Sequence, residues 1–120
     1  MRLYLDTNIL VFLLGDHPSL DKDVLGMIFD YSNTLYTSTT CVHELIHLFQ
    51  IKKICWRNQK GRHINAEDIL DSLLSMSITI LPISEKNLQV YATWPFLKDH
   101  RDPFDRLIIA QAISDKATLI

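Results

Sequence analysis

Three short stretches place carboxylates where backbone elements should end. Asp6 follows the apolar run Leu3-Tyr4-Leu5 in the opening MRLYLDTNIL. Glu44 stands early in an apolar-periodic segment entered through Ser38-Thr39-Thr40. Asp105 lies in His100–Ala112, HRDPFDRLIIAQA, at the start of an amphipathic run carrying Leu107, Ile108, Ala112 and Ile113. Open α/β sheets build their sites at the carboxyl ends of buried strands and the first turns of helices. Acids gathered at one such point repel one another unless a divalent cation lies between them. Hard oxygen donors select Mg²⁺ or Mn²⁺ over zinc. A cation so held could activate a water and stabilise negative charge developing on a bound substrate.

Each acid also has an ordinary structural job. Asp6 is a good N-cap for a helix over Asn8–Leu14, although Thr7 and Asn8 are equally capable caps. Pro103 suits the first helical position, which puts Asp102 on the N-cap and Asp105 at the third residue. Asp102 is then expected to accept the free amide of Asp105, leaving Asp105 as the functional acid, turned toward the sheet edge and favoured by the helix dipole. Val42, Leu45, Ile46, Leu48 and Phe49 suggest apolar surroundings for Glu44, so its carboxylate needs a partner or a cation. Arg101 and Arg106 read as exposed cations, either solvated or serving as counter-ions or phosphate contacts.

A competing pattern overlaps the second acid. His43-Glu44-Leu45-Ile46-His47 is a complete HExxH, which would present two zinc ligands on one helix face with Glu44 as general base. A catalytic zinc needs a third protein ligand. Glu67, Asp68 and Asp71 are candidates, but nothing marks them, and zinc proteolysis leaves Asp6 and the RDPFDR stretch unexplained. Lys52, Lys53, Arg57, Lys60 and Arg62, with Trp56 and His63 among them, form the one basic cluster. It reads either as a nucleic-acid contact, with cations on phosphates and an indole on a base, or as a solvated loop with Trp56 packed inward.

The elements that must position these residues alternate short apolar strands with helices, the pattern of a parallel α/β sheet. Strands are expected at Arg2–Leu5, Thr34–Thr37, Ile78–Leu81 and Ala117–Ile120. Helices are expected at Asn8–Leu14, Asp21–Tyr31, Cys41–Lys53, Ala66–Leu74 (capped by Asn65, with Asp68 as a capping-box analogue), Glu85–Trp94 and Pro103–Asp115. The 120 residues suit a single domain, and a hydrophobic share of 48% rules out disorder. A net charge of −2 argues against a generally basic nucleic-acid-binding protein, not against a local basic patch. Cys41 and Cys55 have no CxxC spacing and read as reduced thiols of a cytoplasmic protein. No secretory signal is visible, and no apolar run reaches the ~18–20 residues of a membrane span.

Taken in order and spacing, LDTNIL at Asp6, the Ser/Thr-rich strand end leading to Glu44, and HRDPFDRLIIAQA at Asp105 resemble the PIN-domain ribonucleases. They resemble particularly the toxins of VapBC-type toxin–antitoxin modules, over essentially the whole chain. The resemblance implies a three-layer α/β/α domain with a central parallel sheet of about four strands. It implies acids around Mg²⁺ or Mn²⁺, an RNA substrate, a cognate antitoxin and a homodimer. By position Asp6, Glu44 and Asp105 match three of the family's usual four acids. Thr7 and Asn8 match polar neighbours that orient the first aspartate, and Asp102 belongs to the DPFDR variant outside the metal shell. The fourth acid falls after the strand beginning at Ala117, and the sequence stops at Ile120. That leaves three readings: a truncated sequence, replacement of the acid by Asp102 or a partner, or a catalytically impaired binding or regulatory domain. His43 and His47 lie outside the family pattern. An aspartyl-phosphatase or response-regulator reading of Asp6 fails at position 8, where Asn stands in place of a second Asp.

Overall fold

A computed structural model describes residues 1–15, 20–51, 65–93 and 102–120. The element order is β1 (Arg2–Leu5), α1 (Thr7–Leu14), α2 (Lys22–Ile28), β2 (Thr34–Ser38), α3 (Thr39–Gln50), α4 (Asp68–Ser75), β3 (Ile78–Leu81), α5 (Glu85–Thr93), α6 (Pro103–Ser114) and β4 (Thr118–Leu119). The strands form one parallel sheet in the order β3-β2-β1-β4. Parallel neighbours require helical crossovers, and those crossovers flank the sheet in the expected α/β/α arrangement.

The apolar runs of the strands are buried as such sheets demand. Leu3, Tyr4 and Leu5 are fully inaccessible, and Leu35 and Ile78 join them. Leu10 of α1, Leu45 of α3, Ile69 and Leu73 of α4 and Ile108 of α6 close the core around them. Thr37 spends its hydroxyl inside the sheet, donating to the Leu5 carbonyl at 2.8 Å.

Several boundaries depart from the sequence expectations for local reasons. Ser38 accepts the Thr40 amide at 3.1 Å, so α3 starts at Thr39 rather than Cys41, and Glu44 falls in its second turn. Helix α4 begins at Asp68 rather than Ala66, and no side chain caps its first turn; the expected Asn65–Asp68 capping box is present in its back-reaching half, the Asn65 amide donating to the Asp68 carboxylate at 2.9 Å. The last strand is two residues long instead of four. It is reached through a tight helix exit. Lys116 adopts φ 54°, its amide bonds the Ile113 carbonyl at 3.1 Å, and the Ala117 amide bonds the Ala112 carbonyl at 2.9 Å. This paired closure normally recruits glycine, and here a lysine carries it.

Candidate metal centre at the β1/β4 edge

The chain leaves β1 toward β2 on one side and later returns to form β4 on the other. That divergence is the topological switch point of the sheet, and the crevice beyond its strand ends is where such folds bind ligands. Asp6 is the first residue after β1. Its backbone amide reaches the Ile120 carbonyl at 3.4 Å, and the Ile120 amide returns to the Tyr4 carbonyl at 2.9 Å. Asp6 Oδ1 accepts the Ile9 amide at 3.1 Å, so the residue does cap α1. The cap occupies one oxygen of the half-buried carboxylate and aims the group past the strand end.

Asp105 reaches the same place from α6. A single pocket is lined by Asp6, Asn8, Asp105, Ile108, Ile109 and Leu119. Asp102 and Pro103 set the start of that helix as expected, with one difference. Asp102 accepts the amide of Phe104, at 2.9 Å, and not that of Asp105. Asp105 remains exposed in the first turn, where the helix dipole favours a negative charge. The aliphatic floor of the pocket, Ile108, Ile109 and Leu119, escaped the sequence reading because those residues look like any other core positions.

Glu44 differs from its expected setting. The apolar neighbours Val42 and Leu45 are buried, and Glu44 itself is exposed. Its partner is a hydroxyl: the buried Thr7 donates to Glu44 Oε2 at 2.9 Å. The third acid is thus tethered to the residue beside Asp6. Thr7, which the resemblance implied as a neighbour orienting Asp6, gives its hydroxyl to Glu44. Among the described residues no three Asp, Glu, His or Cys side chains stand close enough to hold one ion. The donor set at the pocket is two carboxylates with room for solvent. That composition suits Mg²⁺, which keeps several waters and is usually bound through one or two carboxylates.

Other expected contributors are placed elsewhere. Arg106 is buried, with its guanidinium 5.0 Å from the centre of the Tyr91 ring, so it is a core-packing side chain and not an exposed phosphate contact. His43 and His47 are exposed on α3. Among the described residues neither Glu67, Asp68 nor Asp71 joins them, so none of the three supplies the third protein ligand that a catalytic zinc needs. Lys52, Lys53, Trp56, Arg57, Lys60, Arg62, His63 and Arg101 lie outside the described residues.

A polar cluster that the sequence did not advertise supports the floor of the sheet. Tyr4 donates its hydroxyl to Asp115 Oδ2 at 2.5 Å, and the buried Asn87 donates to Asp115 Oδ1 at 3.3 Å. Burial, reinforced by the hydrogen bond and negative charge of Asp115, drives the Tyr4 phenol far above its usual titration range. Burial also raises the Cys41 thiol, partly offset by hydrogen bonding from Thr7, Thr37 and the Ser38 backbone.

Sequence and structure comparisons agree with this architecture. The family described as PIN domain matches residues 3–120. No curated protein sequence matches the chain. Among solved structures, VapBC2 from Rickettsia felis, bound to a DNA fragment from their promoter, aligns with a TM-score of 0.63 and 24% identity, covering 99% of this chain and 86% of that one. VapBC-1 from nontypeable Haemophilus influenzae aligns with a TM-score of 0.61 and 22% identity, covering 99% and 84% respectively. At those identities the likeness is one of fold.

Proposed function

The chain belongs to the PIN-domain family, and we propose that it is a divalent-metal-dependent endoribonuclease, the toxin of a toxin–antitoxin pair. The observation that carries this reading is the meeting of Asp6 and Asp105 in one pocket at the sheet's switch point. In this reading Asp6 and Asp105 hold Mg²⁺ or Mn²⁺, and Glu44, the third acid of the expected set, is tethered by Thr7 beside them rather than close enough to share the ion. When bound, the ion supplies an activated water and stabilises charge on the scissile phosphate. Asp6 is kept on target by its cap to Ile9, and Asp105 by the helix start that Asp102 and Pro103 define. Thr7 restrains Glu44, and Asn8 completes the rim of the pocket. Ile108, Ile109 and Leu119 supply its apolar lining. The basic stretch Lys52, Lys53, Trp56, Arg57, Lys60 and Arg62 is the proposed RNA contact, because the carboxylate pocket alone would repel a polyanion.

Both VapBC neighbours are named as pairs, which supports an antitoxin partner here. We assign it a peptide that covers the acidic pocket and presents a cation to it. A homodimer and a cytoplasmic location complete the proposal; no helix among the described residues is long and apolar enough to cross a membrane. The deciding experiment is cleavage of a structured RNA with Mn²⁺ by the wild type and by Asp6→Asn and Asp105→Asn. Both variants should lose activity while remaining folded. Retained cleavage in either would sink the assignment.

A second reading, a PIN-like binding domain with little catalysis, draws on the lack, among the described residues, of three acids close enough to share one ion. It predicts that the wild type binds Mn²⁺ weakly and cleaves no RNA.

A further inference from the structure

The HExxH pattern has no third ligand, yet its two histidines have the geometry of a chelate. Helix α3 is continuous from Thr39 to Gln50, so His43 and His47 stand one turn apart. At about 100° per residue they diverge by only about 40° around the helix axis, and Glu44 lies about 60° beyond His47. Residues four apart present Cβ atoms ~5–6 Å from one another. That spacing lets two imidazole nitrogens converge on one ion at zinc–nitrogen distances of ~2.0–2.1 Å. Both side chains are exposed, and neither imidazole has a hydrogen-bond partner among the described residues. Closing the chelate therefore breaks no interaction of the fold.

We propose that His43 and His47 form a surface site for a borderline transition-metal dication, Zn²⁺, Ni²⁺ or Cu²⁺, separate from the Asp6–Asp105 pocket. Neutral imidazole selects these ions and discriminates strongly against Mg²⁺, which prefers oxygen. Water fills the remaining positions, since Glu44 is engaged by Thr7 and no third side chain among the described residues stands in reach. The neighbouring Glu44 carboxylate contributes attraction to the dication without joining the shell. The site carries no catalytic role and does not depend on the nuclease reading.

Zn²⁺ titration by calorimetry, in the presence of excess Mg²⁺, tests it. The wild type should bind one Zn²⁺ at this site, and His43→Ala and His47→Ala should each weaken that binding by about tenfold or more. Both substitutions are at exposed helical positions where alanine is a better helix former, so both variants fold. A combined Asp6→Asn, Asp105→Asn variant should retain the site. Zn²⁺ should also raise the unfolding temperature of the wild type and not that of the histidine variants. Unchanged zinc affinity in either histidine variant overturns the proposal, as does loss of zinc binding in the aspartate variant.

Discussion

The Thr7–Glu44 hydrogen bond makes a quantitative claim about how the third acid is held. Thr7 is only 6% exposed, and its hydroxyl sits 2.9 Å from Glu44 Oε2. Thr7→Val keeps the β-branched shape and removes only that donor. A hydrogen bond to a charged group contributes ~1.5–3 kcal/mol when both ends are sequestered. Glu44 is exposed, so water replaces much of the lost bond, and the expected cost falls to about 1 kcal/mol. For a chain of this length that corresponds to a fall of about 3–5 °C in unfolding temperature. Valine also packs against Cys41, whose thiol senses the Thr7 hydroxyl, so a single substitution mixes two effects. A double-mutant cycle with Glu44→Ala separates them. Chemical denaturation of the four proteins should give a coupling of about 0.5–1 kcal/mol between positions 7 and 44. A coupling below about 0.3 kcal/mol, the scatter of independent sites, would refute the claim that Thr7 restrains Glu44.

Alkaline stability reports on the Tyr4 cluster. A phenol whose folded pKa is raised contributes stability that is complete below its unfolded value of 10.0 and is lost as pH climbs above it. Tyr4→Phe should therefore flatten the decline in stability beyond about pH 10, read by denaturation at successive pH values; an unchanged slope would contradict the hydrogen bond from the buried Tyr4 to Asp115. Arg106→Gln should destabilise the protein by about 1–2 kcal/mol without RNA present, through loss of the partly desolvated contact with Tyr91 and of stem packing. A variant of wild-type stability would return Arg106 to the surface role the sequence suggested.

Local chemistry was legible wherever one short segment settled the outcome. Asp6 and Asp102 read as caps because capping involves a side chain and amides two or three residues away. Even there the partner amide of Asp102 was one residue off, since an N-cap oxygen can satisfy either of two neighbouring donors. The exit from α6 was invisible because Lys116 performs, at φ 54°, a turn that sequence reading associates with glycine. Glu44 misled for a different reason. A run with apolar residues on most sides still has one outward direction in a helix, and periodicity alone did not say that Glu44 lay on it.

The sequence by itself determined the order and kind of the elements, the parallel α/β class, and the delivery of Asp6 and Asp105 to element ends. These follow from periodicity, caps and breakers, which act within a few residues. Tertiary structure alone decided that β4 pairs with β1 on the side opposite β2. That pairing brings residues 6 and 105, 99 positions apart in the chain, to one pocket. It also decided that Arg106 is buried on Tyr91, that Thr7 holds Glu44, and that His43 and His47 face solvent. Each of these depends on which face of one element meets another, and strand order and helix rotation are set by packing of the whole core.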